Sequence, residues 1–480
     1  MIEYEKVTVS RQALLKDAMK LIDQNGSGII FVLGDKKKLL GIMTDGDVRR
    51  VLLGGFTTDV QVEDVMQRNF ISAHKDTSVE EIHQLLMDYE HIPLVDDNGL
   101  FVDFASQKKI RSIPLMQPSL RGNELSYIND CLVTGWISSQ GSYIKKFEDM
   151  FKDYIGANFA IATSSGTTAL HLAMLSLGVK EGDEVIVPNF TFAAPINAIL
   201  YVGAKPVLID VDPDTMTLDI SKVESAINSK TKAILPVHLY GYPVDMREVM
   251  RIANKHNLIV IEDCAEAIGS QSDGKHVGIF GDAAIFSFFA NKSITTGEGG
   301  MLVIKKESDH TRARKLKDHG MSMEKRYWHE EVGYNFRMTN MQAAIGCAQM
   351  ERVNEFIEKK IEIARMYESC LKNVSDIKLP IKPLNGVNSY WLYTIVLGNT
   401  ISNKRDDILS ELDYAGIQAR RTFYPIHLMP PYQKFKLKEC KYSNSIMLSY
   451  CGICLPSWSD IGYEKIRYIS DTLEIILSEK

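Results

Sequence analysis

The stretch FSFFANKSITTGEGG, Phe286 to Gly300, sets one lysine, Lys292, between an aromatic run and a glycine-rich run. Phe286, Phe288 and Phe289 precede the amine and TTGEGG follows it, a setting that keeps water away and lowers an amine pKa. Such an amine is suited to forming a Schiff base with an aldehyde and to shuttling protons afterwards. Two upstream segments extend the pattern. In ATSSGTTALHLAMLSLGV, Ser165-Gly166-Thr167 stands just before a helical apolar pattern through Leu170, Leu172, Ala173 and Leu177. Hydroxyls and free N–H groups at a helix N-terminus seat a phosphate, although the same residues also make a good helix cap. In NLIVIEDCAEAIGS, Glu262 and Asp263 close an apolar strand, where open α/β sheets bind ligands. A carboxylate there can keep a pyridine nitrogen protonated and make its ring an electron sink. Neither His238 nor His276 stands at a ligand-like spacing from it, so no metal is expected. Seat, carboxylate and lysine in that order are far more specific together than any one alone.

Around this centre, helical stretches alternate with strand-like runs such as DEVIVPNFTF, KPVLIDV, KAILPVH and LIVIEDC. That alternation predicts an α/β fold with a mainly parallel sheet and helices on both faces over residues 120–370. A smaller α+β lobe follows over 371–480. Its SIMLSYCGICLPS reads as a buried strand holding Cys451 and Cys454, a C-x-x-C spacing without the second pair that a metal or redox site needs. RSIPLMQPSLRG, with Pro114 and Pro118, reads as a linker over 113–119.

Residues 1–112 repeat one plan twice, a short helix, a strand, a polar turn and a strand: LLKDAMKLIDQNGSGIIFVLGDKKKLLGIM, then VEEIHQLLMDYEHIPLVDDNGLFVDF. The halves resemble tandem cystathionine-beta-synthase (CBS) domains, α+β modules that often bind adenine nucleotides. Thr44-Asp45-Gly46-Asp47 is similar to that family's T-x-x-D, which implies a phosphate contact for Thr44 and a ribose contact for Asp47. The second half has Ser106-Gln107-Lys108-Lys109 instead, so at most one intact nucleotide site is expected, and Lys109 favours an extra phosphate. A packing or assembly module that binds nothing is the competing reading.

Composition sets limits on partners. A formal net charge of -6, from 55 basic and 61 acidic residues intermixed, offers no basic stripe for nucleic acid. The start, MIEYEKVTVSRQ, has no signal-peptide core, and no apolar run reaches the roughly 18 residues of a membrane span. Seven scattered cysteines suit reduced thiols, and together these features point to the cytoplasm.

From about Gln117 onward the chain resembles the DegT/DnrJ/EryC1/StrS family of pyridoxal-phosphate-dependent sugar aminotransferases, of aminotransferase fold type I. The resemblance rests on GWISSQGSYIKKFE, SSGTTALHLA, VIVPNFTFAAPINAI, IEDCAEAIGS, GDAAIFSFFANKSITTGEGG and GYNFRMTNMQAAIG. It implies Lys292 as the Schiff-base lysine, Asp263 as partner of the pyridine nitrogen and Phe192 as the face stacked on the ring. Gly166, Thr167 and Ser287 then hold the phosphate, and Asn335 and Arg337 complete the neighbour's site across a homodimer. Many relatives have glutamine where this chain has Glu266, beside the cofactor's phenolic oxygen. A protonated Glu266 can donate the same hydrogen bond, so its pKa is expected above the usual carboxylate range.

GWISSQG, YWHEEVGYNFRMTNMQAAIGCAQMER and FYPIHLMPPY look closest to the members that aminate C4 of GDP-4-keto-6-deoxymannose to GDP-perosamine, with glutamate as donor. A UDP-linked 4-keto-6-deoxy-N-acetylhexosamine is the alternative substrate. His319, Tyr334, Arg420 and His427 fall in segments that border the sugar in the family. Lys292 argues against the related dehydratases, which carry histidine there. The N-terminal halves lack the helix-turn-helix of a transcription regulator.

Overall fold

A computed structural model describes residues 6–106, 113–398, 401–437 and 440–478. The chain divides into two compact units, Met1–Ser112 and Ile113–Lys480.

In the first unit, Thr8–Ser10 pairs parallel with Ile29–Leu33, which pairs antiparallel with Leu39–Thr44. The second half repeats the arrangement with Ala73–His74, His91–Val95 and Phe101–Ser106. Leu15, Ala18 and Ile22 recur at helical spacing on Leu15–Asn25 and bury one face of it against Ile30, Val32 and Met43. Phe31 of the first half stacks on Phe101 of the second at 4.6 Å, so the repeats share an aromatic core. Lys109, with Gln107 and Lys108, lies outside the described residues.

The second unit is built on a seven-stranded sheet in the order Phe159–Thr163, Gly300–Ile304, Ala283–Ser287, Ile259–Asp263, Thr231–Ile234, Glu184–Pro188, Lys205–Ile209. All neighbours are parallel except Gly300–Ile304, which runs against both of its partners. Both faces are covered, which is why the strands read as near-continuous apolar runs. Ile186, Ile234 and Val260 meet the helix Met246–His256 on one side; Val185, Val187 and Ile261 join a larger core on the other. That helix starts where Asp245 accepts the Glu248 N–H and stops at Asn257, whose φ of 54° ends the helical path.

A four-stranded antiparallel sheet, with Tyr393 opposite Leu455, forms the last lobe. Its core is continuous with that of the large sheet, running from Ile161 and Val187 to Ile395, Ile453 and Leu473. Residues 113–119, expected as a linker, are docked here: Ile113 N–H donates to Gly416 O at 2.7 Å, and Leu115 O accepts from Ser457 N.

The expectation of one buried strand across SIMLSYCGICLPS is corrected. Ser443–Cys451 is a helix and only Gly452–Leu455 is a strand. Ser445, Leu448 and Ser449 are buried while Tyr450 is exposed, a helical spacing that a run of apolar letters hides. Cys451 ends the helix and Cys454 sits on the strand beside Thr394, both as free thiols.

Candidate active site

The carboxyl ends of the central strands open into a cavity of about 340 Å³. Its floor follows from the backbone. Ile259–Asp263 delivers Asp263, Ala283–Ser287 delivers Ser287, and the helix Gly166–Ser176 begins between them. At that helix start Ser165 Oγ accepts the Thr168 N–H and Thr168 Oγ1 accepts the Ser165 N–H, a reciprocal cap. The cap leaves the Gly166 and Thr167 amides, which have no intrahelical acceptor, on the cavity wall. Cap and seat are therefore one structure. Two glycines make the close approach feasible: a Cβ on Gly166 would lie 2.9 Å from Ser287 Cβ, and one on Gly300 would lie 2.4 Å from Ser165 O. Free amides, a hydroxyl and a helix N-terminus fit a phosphate group.

Lys292 enters from the opposite wall. Its side chain is mostly buried, 13% exposed, its Nζ lies 3.4 Å from Glu266 Oε1, and the Trp391 ring centroid is 3.8 Å away. Burial lowers its pKa, with Glu266 and Asp263 working against that shift. Asp263 is buried too, and burial pushes its carboxyl up to about 7 despite the Ala265 N–H that donates to Oδ1. A buried acid of that kind suits a protonated ring nitrogen, whose charge would repay the desolvation. Glu266 accepts at both oxygens, from Lys292 Nζ and from the Tyr240 N–H at 3.0 Å, so the donor role expected of it meets two donors already in place. Tyr240 reaches that position with φ at 53°, unusual for a tyrosine. Phe192, 58% exposed, stands at the rim beside Phe423.

The aromatic run divides its work. Phe286 and Phe288 point away from the cavity into a cluster with Phe151 and Phe147, at 4.8 and 5.0 Å, each burial contributing roughly 1.5–3 kcal/mol. Only Phe289 lines the cavity.

His238, Glu262 and Cys264 cluster closely enough to suggest a metal. Their hydrogen bonds argue otherwise. Glu262 accepts the N–H groups of Gly278, Phe280 and Gly281 as well as His238 Nε2. His238 Nδ1 accepts from Val244 N, which places its proton on Nε2. The carboxylate has no lone pair to spare and the histidine is in the wrong tautomer to ligate.

Among the expected residues, Gly166, Thr167, Phe192, Asp263, Glu266, Ser287, Lys292 and Arg420 line one cavity. Asn335, Arg337, His319 and Tyr334 do not. Arg337 binds Asp318 and Asn335, while the His319 N–H donates to Tyr334 O and Tyr334 stacks on Phe336. His427 does not line the cavity either: it is 2% exposed, its Nδ1 is hydrogen-bonded to Asn189, its ring stacks on Tyr442 at 4.5 Å, and its Nε2 is buried without a partner. The sequence reading missed Trp391, Tyr240, Asn291, Glu298 and Phe423. NSYWLY offers only a weak signal for Trp391, in that a tryptophan at a strand entrance needs a partner for its N–H.

In the first unit, Thr44 and Asp47 form a second reciprocal cap at the helix Asp45–Leu53. The Thr44 hydroxyl donates to Asp47 Oδ2 at 2.7 Å, Asp47 N–H donates to Thr44 Oγ1, and Arg50 pairs with Oδ1. Burial opposes ionisation of Asp47, yet the Thr44 hydrogen bonds and the Arg50 guanidinium hold its carboxyl below the usual range.

A doubly covered, mainly parallel sheet with a phosphate seat, a strand-end carboxylate and a buried lysine in one cavity defines a pyridoxal-phosphate-dependent aminotransferase of fold type I. The DegT/DnrJ/EryC1/StrS aminotransferase family matches residues 118–474, and the chain belongs to it. CBS domains match residues 3–54 and 62–114. The chain is 44% identical over 372 residues to the GDP-perosamine synthase of Escherichia coli O157:H7, covering 77% of this chain and 100% of that one. It is 42% identical over 321 residues to the UDP-N-acetyl-3-dehydro-alpha-D-glucosamine 3-aminotransferase of Acidithiobacillus ferrooxidans, covering 66% and 84%. Helicobacter pylori PseC, an aminotransferase involved in pseudoaminic acid biosynthesis, superimposes with a TM-score of 0.73 at 26% identity, covering 77% of this chain and 100% of that one. No helix among the described residues is long and apolar enough to cross a membrane.

Proposed function

We propose that the enzyme transfers an amino group from glutamate to C4 of GDP-4-keto-6-deoxymannose, giving GDP-perosamine and 2-oxoglutarate. The observation that carries this reading is the set of Lys292, Asp263, Glu266 and the Gly166 helix start around one cavity, in a chain 44% identical to a GDP-perosamine synthase over that protein's full length. Bound pyridoxal phosphate supplies an aldehyde that takes the amino group and a ring that withdraws electrons as a proton leaves. Gly166, Thr167 and Ser287 hold its phosphate, Asp263 partners its ring nitrogen, and Phe192 covers its face. Lys292 Nζ would take the α-proton from glutamate and deliver a proton to the cofactor carbon that carried the aldehyde; with the keto sugar the same transfers would run in reverse. Phe289, Trp391 and Phe423 line the walls and limit water.

The protein acts as a homodimer in the cytoplasm and supplies surface-glycan synthesis, such as O-antigen and lipopolysaccharide. Two features support the dimer: Leu125, Val133 and Trp136 expose large apolar side chains, and Asn335 and Arg337 stand outside their own chain's cavity. In this reading Asn335 and Arg337 reach the partner's cofactor, and His319, Tyr334 and Arg420 contact the sugar. The CBS pair takes one nucleotide per chain through Thr44 and Asp47.

A second reading, C4 amination of a UDP-linked 4-keto-6-deoxy-N-acetylhexosamine, draws on the 42% identity to a UDP-sugar aminotransferase. Offering GDP- and UDP-linked 4-keto sugars side by side with glutamate, with mass spectrometry of the products, decides between them. Amination of the UDP sugar alone overturns the perosamine reading.

A further inference from the structure

Lys360, on the helix Val353–Leu371, is 2% exposed. Its Nζ donates to Trp391 O at 2.8 Å and to Ser457 O, and lies 3.5 Å from Met116 Sδ. Burial drives its pKa down to about 7. Trp391 leads into the strand Tyr393–Leu397 and Ser457 follows the strand Gly452–Leu455, whose register sets Tyr393 opposite Leu455. One buried amine therefore ties two neighbouring strand ends and fixes the main chain of Trp391.

The Trp391 side chain is held as firmly. Its Nε1–H donates to Asn291 O at 2.8 Å, and Tyr240 stacks against it at 6.2 Å with planes 14° apart. The ring face so placed meets Lys292 Nζ at 3.8 Å. One indole thus contacts the amine through its face and the preceding residue's carbonyl through its edge. An aromatic face attracts a cation, and most strongly where water is excluded.

We propose that Trp391, anchored by Lys360, is a positioning residue for Lys292: its face receives the ammonium between proton transfers, and its Nε1–H pins Asn291 so that the amine returns to one place. This rests on the reading that Lys292 moves the protons. The other charged groups facing Lys292 are Glu266 and Asp263, which favour the ammonium, and Arg420, which opposes it and itself lies 5.4 Å from the indole.

The test uses the full chain freed of cofactor by dialysis, acetylated with limiting acetic anhydride at stepped pH, with modification at Lys292 read by peptide mass spectrometry. Trp391→Leu moves the half-reactive pH of Lys292 down by about one unit, because the ring no longer favours the ammonium. Trp391→Phe keeps the aryl face and most of the wild-type titration. With cofactor restored it lowers kcat about fivefold at unchanged KM for glutamate, through loss of the Asn291 hydrogen bond. An unshifted Lys292 titration in folded Trp391→Leu overturns the proposal, as does wild-type kcat in Trp391→Phe. Failure of the underlying reading shows separately, as turnover in Lys292→Ala.

Discussion

Glu266 holds Lys292 and Tyr240 at once: Oε1 lies 3.4 Å from the lysine Nζ and Oε2 accepts the tyrosine amide at 3.0 Å. The carboxylate therefore holds the amine in place and works against the lowering of its pKa by burial. Replacing it with glutamine keeps an acceptor for Tyr240 and turns an N–H pair toward Lys292. Removing that negative charge lowers the lysine pKa, so the acid limb of the kcat/KM profile in Glu266→Gln moves to lower pH while the maximum stays within about tenfold. An acid limb at the wild-type position shows that the pair is not coupled.

Lys292→Ala should keep its cofactor and lose turnover by at least about 10³-fold, since both proton transfers pass through Nζ. The phosphate seat is on other elements, so binding survives. Cofactor absorbance and product formation, measured on the same sample without added amines, report the two separately.

Asp263 ties stability to pH. Burial pushes its folded carboxyl up to about 7, against an ordinary value of 3.8. The folded state therefore binds more protons between these values, and its contribution is full below pH 3.8 and lost as pH rises through 7. In cofactor-free protein Asp263→Asn should be more stable than wild type near pH 8, by a few kcal/mol at most, with the gap closing toward pH 4. With cofactor bound the same substitution should slow turnover about 10²-fold, because the ring nitrogen loses its charged partner. Parallel melting curves at pH 5 and pH 8 check the first statement, and steady-state rates check the second.

The sequence carried the sheet and the three central site elements because each leaves a local mark: apolar strand runs, a hydroxyl-rich helix start, and an amine among aromatics and glycines. Trp391 left almost none. Its role comes from Asn291, 100 positions earlier, and from Lys360, 31 positions earlier, and no local period encodes such meetings. His427 shows the converse, since a histidine in a promising segment is drawn inward by Asn189, 238 positions away. Cys451 and its helix were misread because an apolar run has the same letters whether its period is 2 or 3.6.

A nucleotide bound at the first unit as proposed would have to compete with the unit's own helix cap. Thr44 and Asp47 hydrogen-bond to each other, so a ribose or phosphate would take up groups already satisfied, and modest affinity is expected. Titration calorimetry of the full chain with AMP, ATP and GDP should give one weak site per chain, absent in Asp47→Ala. The same substitution removes a capping partner and should cost the unit about 1 kcal/mol of stability without any nucleotide. No heat with any of the three leaves the pair as an assembly element.

Lys360 makes the last prediction, because its burial and its hydrogen bonds act in opposite directions. The two carbonyls it binds reward its presence at every pH, whereas a charge in that position is costly. Burial pushes its folded pKa down to about 7 from the ordinary 10.5, so between these the unfolded chain binds the extra proton. Stability from this residue then rises with pH across that window and is flat below pH 7. Lys360→Met removes both the hydrogen bonds and the proton while keeping the volume. The variant should match or exceed wild type in denaturant midpoint at pH 6 and fall behind it progressively toward pH 10. A constant difference between the two proteins over that range would show that Lys360 stays charged in the folded chain, with its cost met by the carbonyls of Trp391 and Ser457.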